Sequence, residues 1–126
     1  MIKPIKVSPI KFGYKSILKT LFQNGKLPSV KVDIYGKTIK PEMTKELTIE
    51  HIVPRVKGGK SKLANYALAN YADNQKRSAE DLLKFTTIEN IKNWYSQFKG
   101  VVLPNFNGDE YIKEGIKNLK KINIVI

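Results

Sequence analysis

The sequence has no cysteine, one histidine, one tryptophan and only two arginines. Each scarcity excludes something. Without cysteine there is no disulfide and no thiolate zinc site, so any metal must be held by oxygen and nitrogen. No run of about 18 apolar residues occurs, so no membrane-spanning helix is expected. The opening "MIKPIKVSPIKFGYK" has lysines but neither the apolar stretch nor the cleavage site of a secretory signal.

Acidic residues are also few, 11 against 23 basic ones, which leaves a net charge of +12 on 126 residues. That length is one domain's worth, enough for a modest core without disulfides. A surplus of that size in a small domain points to a polyanionic partner, nucleic acid first and a membrane surface a distant second. All the basic residues but Arg55 and Arg77 are lysine. A guanidinium can grip a phosphate with two hydrogen bonds, which sets these two apart. The alternative for Arg77 is an ion pair with Asp73 or Asp81 at helical i,i+4 spacing.

Hydrophobic patterning sketches the elements. "YKSILKTLFQ" (14–23) has helical spacing and is ended by Asn24-Gly25. Val30, Val32 and Ile34 alternate with polar residues up to a "YGK" turn, which predicts a hairpin over 28–39. A strand over 47–53 should stop at Pro54. "KGGKSK" (57–62) is a flexible cationic loop, "LANYALANY" (63–71) a short strand running into a helix start, and "DNQKRSAEDLLKF" a helix with Ala79, Leu82 and Leu83 inward. The remaining third reads as helical. Thr86 with Glu89 forms a candidate capping box. Ile88, Ile91, Trp94, Tyr95 and Phe98 make an apolar stripe, read as core ahead of a base-stacking platform. A last helix spans about 108–121, capped by Asn107, with Asp109 and Glu110 in its first turn. Its Lys113, Lys117, Lys120 and Lys121 are a solvated face or a secondary DNA contact.

The chemistry concentrates around "LTIEHIVPR" (47–55), where Glu50 and the only histidine, His51, interrupt an otherwise apolar strand. Counting from His51, Pro54 lies at +3, Gly58 and Gly59 at +7 and +8, Leu63 at +12, Asn65 at +14, Asn74 at +23 and Arg77 at +26. The string "EHIVPRVKGGKSKLANYALANYADNQKR" closely resembles the HNH endonucleases of the ββα-metal, or His-Me finger, superfamily. The resemblance covers about 30 residues and hits each of that family's landmarks in register. It implies an α+β fold: a finger core over 28–85 with its motif at 47–78, an N-terminal helix and hairpin, and a helical extension over 86–126, all in a single domain.

Two departures accompany it. Many HNH proteins carry two CxxC pairs around a structural zinc, whereas here +19 and +22 hold Asn70 and Asp73. This finger must be held by packing alone, with the C-terminal helices as candidates for that work. The acid is Glu50 where Asp is commoner. One more methylene moves the carboxylate by about an ångström, and Mg²⁺ demands near-octahedral ligands at about 2.0–2.1 Å.

The resemblance implies a metal-dependent DNA endonuclease that uses one divalent cation, Mg²⁺ or Mn²⁺ before other transition metals. Glu50 and Asn74 would be its oxygen ligands. His51 would be the general base, suited to it by an ordinary imidazole pKa of about 6.5. Asn65 would brace the loop and orient the histidine. Arg77 is expected at the DNA backbone, with Ser78 as its neighbour on the same helix face. The cationic side chains of Arg55, Lys57, Lys60, Lys62 and Lys76 would contact phosphates with little sequence preference. A double-strand break needs a homodimer or two visits. Two further readings are a non-catalytic nucleic-acid-binding module on the same scaffold and an accessory protein of phage packaging. A bacterial or phage-encoded protein working in the cytoplasm is expected. In a regular strand Glu50 and His51 would face opposite ways, so an irregularity such as a bulge is expected beside them.

Overall fold

The protein is described by a computed structural model covering residues 17–77 and 81–126. Residues 17–23 are helical (α1) and bury Leu18 and Phe22. The first three residues of the helix expected over 14–23 lie outside the described residues, as do Ser78 and Ala79.

The hairpin expected over 28–39 is reduced to a turn. Val32 and Thr38 form one isolated bridge, and Asp33 N–H donates to the Lys37 carbonyl at 2.8 Å. The reason is the Asp33 side chain. It is fully buried and accepts from the main-chain N–H of Tyr35 and Lys37 (2.9 Å each) and of Asn70 (3.0 Å). A side chain that takes local donors in this way competes with a strand ladder. The same carboxylate ties the turn to the sheet.

That sheet is β1 (Leu47–His51) against β2 (Tyr66–Asn70), antiparallel, with Leu47 opposite Asn70 and His51 opposite Tyr66. β2 is the most deeply buried strand, Tyr66 through Ala69 all lying inside. Its small residues Ala67 and Ala69 let neighbouring elements close over it. A helix, α2 (Tyr71–Arg77), follows without a loop and packs back on both strands. Together β1, β2 and α2 form the ββα unit of a mixed α+β protein. Leu82 is buried as expected, but Leu83 is exposed and the stretch Leu82–Lys84 is only a 3-10 turn.

The C-terminal part forms a lid of aromatic residues over the finger. The helix α3 (Ile88–Ser96) buries Ile91, Trp94 and Tyr95 but leaves Ile88 exposed. Its cap is Thr87, which accepts from Asn90 N–H at 3.1 Å. Thr86, expected in that role, donates its hydroxyl instead to the buried Ile34 carbonyl at 2.9 Å. A small hairpin, β3 (Val102–Leu103) with β4 (Phe106–Asn107), was not legible as strand and precedes α4 (Gly108–Lys120). Asn107 caps α4 as expected, accepting from Glu110 N–H at 2.8 Å.

Phe98, Phe106 and Tyr111 stack in a triangle with ring centroids 4.9–5.7 Å apart, and Trp94 meets Phe98 edge-on at 4.9 Å. Gly115 is required here, because a Cβ on it would fall 2.4 Å from the Tyr95 ring. Gln97, just after α3, holds the 29–32 segment: its Oε1 accepts from Lys31 and Val32 N–H and its Nε2 donates to the Val32 carbonyl.

Candidate functional site

The β1–β2 ladder runs unbroken through the Glu50–Ala67 and His51–Tyr66 pairs. The bulge expected beside Glu50 and His51 is therefore absent. Glu50 turns inward and is 1% exposed, whereas His51 is half-buried. The His51 ring meets the Tyr66 ring edge-on, centroids 5.0 Å apart. The Tyr66 carbonyl accepts the hydroxyl of Tyr111, which in turn accepts from the Trp94 indole N–H at 3.0 Å. The C-terminal lid thus reaches the residue against which the histidine rests.

Arg77 departs most from expectation. It is 1% exposed, inside the protein where an exposed side chain was expected. Its Nη1 donates to the His51 carbonyl at 2.7 Å and its Nη2 to the Ile52 carbonyl at 2.9 Å. Nη1 also lies 3.1 Å from Glu50 Oε2, a buried ion pair that helical spacing does not foresee. The opposite side of the Glu50 carboxylate is taken by the Tyr35 hydroxyl, 2.6 Å from Oε1 and 2.5 Å from Oε2. Burial pushes the Glu50 carboxyl above its ordinary range, and the bonds from Tyr35 and Arg77 pull against that. Burial, then Glu50, pushes the Tyr35 phenol far up, so it remains a donor.

Asn65 is buried and crosses the base of the cationic loop. Its Oδ1 accepts from Val53 N–H at 2.8 Å, and its Nδ2 donates to the Val53 and Lys60 carbonyls at 3.0 Å. The loop is turned by Gly58 at φ +90. Gly59 passes so close to the strand end that a Cβ would meet the Val53 carbonyl oxygen at 1.8 Å. "Flexible" was the expectation for 57–62; the observed loop is pinned at both ends.

Asn74 is the fourth residue of α2, half-buried, and its Nδ2 donates to the Ile49 carbonyl at 3.2 Å. Asn74 and Arg77 together bind the main chain from Ile49 to Ile52, at the end of β1 and one residue past it. Arg55, Lys57, Lys60, Lys62 and Lys76 are all exposed. Arg55 donates to the Ser61 hydroxyl at 3.3 Å and Lys57 pairs with Asp81, whose carboxyl it pulls down.

Oxygen from Glu50 and Asn74 and nitrogen from His51 would suit a hard divalent cation in kind. The arrangement does not suit it. Glu50 is sealed from solvent, its charge is already met by Arg77, and both its oxygens accept from Tyr35. A cation on Glu50 would have to displace a guanidinium or sit against it. Among the described residues no group of three or more His, Asp or Glu side chains could hold a metal ion.

Tyr35 was missed from the sequence. It lies 15 residues before Glu50 in a turn motif, and no spacing rule connects the two. A shallow cavity of about 670 Å³ between Lys60, Lys62 and α4 was also not foreseen. No helix of the described residues is long and apolar enough to cross a membrane. Residues 36–80 match the family model described as HNH endonuclease. Neither the curated proteins nor the solved structures give a match to this chain.

Proposed function

We propose, from the match of residues 36–80 to the HNH endonuclease family model, that the protein hydrolyses phosphodiester bonds of DNA, nicking one strand per encounter. The single observation that carries this reading is the position of His51, at the end of β1 and directly ahead of the loop that presents Arg55, Lys57, Lys60 and Lys62. His51 accepts a proton from water. The water oxygen bonds to phosphorus, and the bond from phosphorus to the 3′-oxygen breaks. A 5′-phosphate and a 3′-hydroxyl remain, the leaving oxygen taking its proton from solvent. Asn65 keeps the loop in place, and the lysines hold the phosphates without reading bases.

HNH nucleases generally use a divalent metal ion, which supplies Lewis-acid stabilisation of the developing charge. Mg²⁺ or Mn²⁺ is the proposed ion. Asn74, whose Nδ2 is held by the Ile49 carbonyl, is the proposed oxygen donor. The bonds that Glu50 already makes do not fit it as the second. Action in the bacterial or phage-infected cytoplasm is part of the same proposal, as is a homodimer where both strands are cut.

The neutralised Glu50 favours a second reading, a nucleic-acid-binding module that no longer cuts. One experiment separates the two. Supercoiled plasmid with Mg²⁺ or Mn²⁺ should become open-circular with the wild type. His51→Ala should lose about 10²–10⁴-fold of that rate while binding DNA with the same salt dependence. A wild type that binds plasmid and never nicks it leaves only the binding module.

A further inference from the structure

We propose that Tyr35, Glu50 and Arg77 form a buried strut that positions the main chain carrying His51, and that Glu50 serves there as the partner of Arg77 instead of as a metal ligand. The proposal rests on the nuclease reading for its catalytic meaning, but its geometry stands apart from it.

β1 ends at His51, and the chain leaves the ladder there. Strand ends are where carbonyls lose their partners. Here the carbonyls of His51 and Ile52, one after the other, are both taken by the fork of Arg77, at 2.7 and 2.9 Å. Lysine could not do this, because its ammonium is a point donor without two parallel N–H groups. The fork is oriented in turn by Glu50, 3.1 Å from Nη1, with both side chains 1% exposed. A buried carboxylate holds a fixed direction only when its remaining lone pairs are also met. The single Tyr35 hydroxyl proton lies between both oxygens and fixes the carboxylate from that side.

Tyr35 is itself anchored from two sides. Its N–H donates to Asp33 Oδ1 at 2.9 Å, and its carbonyl accepts from Asn90 Nδ2 of α3 at 3.2 Å. The strut therefore runs from the C-terminal lid, through a residue just outside the matched segment 36–80, to the histidine. A general base must lie within about 2.6–3.2 Å of the proton that it takes. A misplacement of about 1 Å costs on the order of 10²-fold in rate. These three side chains fix the backbone on which that distance depends.

The test uses the full-length protein with Tyr35→Phe, Arg77→Lys and Glu50→Gln. Tyr35→Phe keeps the ring and removes only the hydroxyl, so it is the variant least prone to misfold. We expect its kcat for nicking to fall about tenfold, and that of Arg77→Lys about 100-fold, with KM for DNA unchanged in both. His51 is the only histidine, so its ring proton signals in NMR need no assignment. They should shift in both variants whether or not the protein cuts DNA. Mn²⁺ uptake in the presence of an uncleavable duplex, followed by electron paramagnetic resonance, should agree within about twofold between Glu50→Gln and the wild type.

Ring signals that superimpose on those of the wild type in folded Tyr35→Phe overturn the strut. A loss of Mn²⁺ affinity of more than about tenfold in Glu50→Gln overturns its assignment as Arg77's partner alone. An inactive wild type removes the nuclease reading, and the ring signals then decide the strut by themselves.

Discussion

Asn65 holds both main-chain groups of Val53 with one carboxamide, accepting from the N–H at 2.8 Å and donating to the carbonyl at 3.0 Å. The pair closes the loop over 54–64 like a short extra rung of the sheet. Asn65→Ala strands a buried N–H and frees the Lys60 carbonyl as well. The expected loss of stability is about 2–4 kcal/mol, from one orphaned donor plus lost bonds. Urea unfolding of the variant checks it. Asn65→Asp should not recover the loss, since it keeps the acceptor for Val53 N–H but turns a buried carboxylate oxygen onto the Val53 and Lys60 carbonyls.

Lys60 and Lys62 are exposed on that pinned loop. If each neutralises one phosphate, replacing both with Ala flattens the slope of log K against log salt by about 2, at about 0.9 per contact. Binding to a short duplex across a salt series measures the slope. An unchanged slope would place the DNA on another face, such as that of Lys113 and Lys117 on α4.

The Glu50 carboxyl is raised above its ordinary value of 4.5, chiefly by burial. The folded protein holds this proton more tightly than the unfolded chain does. The associated stability is therefore fully present below about pH 4.5 and is lost as pH rises through the folded value. Glu50→Gln lacks this dependence, so it should gain on the wild type between about pH 4 and pH 7. Paired urea midpoints at those two pH values report it. A constant gap would mean that Arg77 and Tyr35 fully offset burial.

The Tyr111 hydroxyl is buried between the Trp94 indole and the Tyr66 carbonyl. Tyr111→Phe leaves both without it. About 2–3 kcal/mol of stability should go, by loss of two buried bonds. The signature beyond stability is a changed environment of the His51 ring, because Tyr66 is what that ring packs against. The NMR signals of the lone histidine show it directly.

Much of the fold was legible, and the reasons are local. The apolar run at 47–53 and the "YALAN" run had to become strands, and Asn107 followed by Asp109 and Glu110 is a helix start written in adjacent residues. The spacing of Glu50, His51, Pro54, Asn65 and Asn74 carried the family resemblance. What stayed hidden is tertiary. Thr86 and Thr87 are equivalent as caps until the Ile34 carbonyl claims one of them. Arg77 has acidic residues four positions away on either side, which makes a surface role look natural. Only the folded chain shows its fork turned onto two carbonyls. The β3–β4 hairpin had a cue in Pro104-Asn105, but strands of two residues leave too little alternation to detect.

The contact of the finger with its aromatic lid has a consequence for engineering. A bound metal can make a short segment compact by itself. Here α4 rests on the Leu63–Asn65 turn and Tyr111 grips Tyr66, so residues 36–80 lifted onto a foreign scaffold would arrive with a bare apolar flank. The matched segment travels only with its own tail.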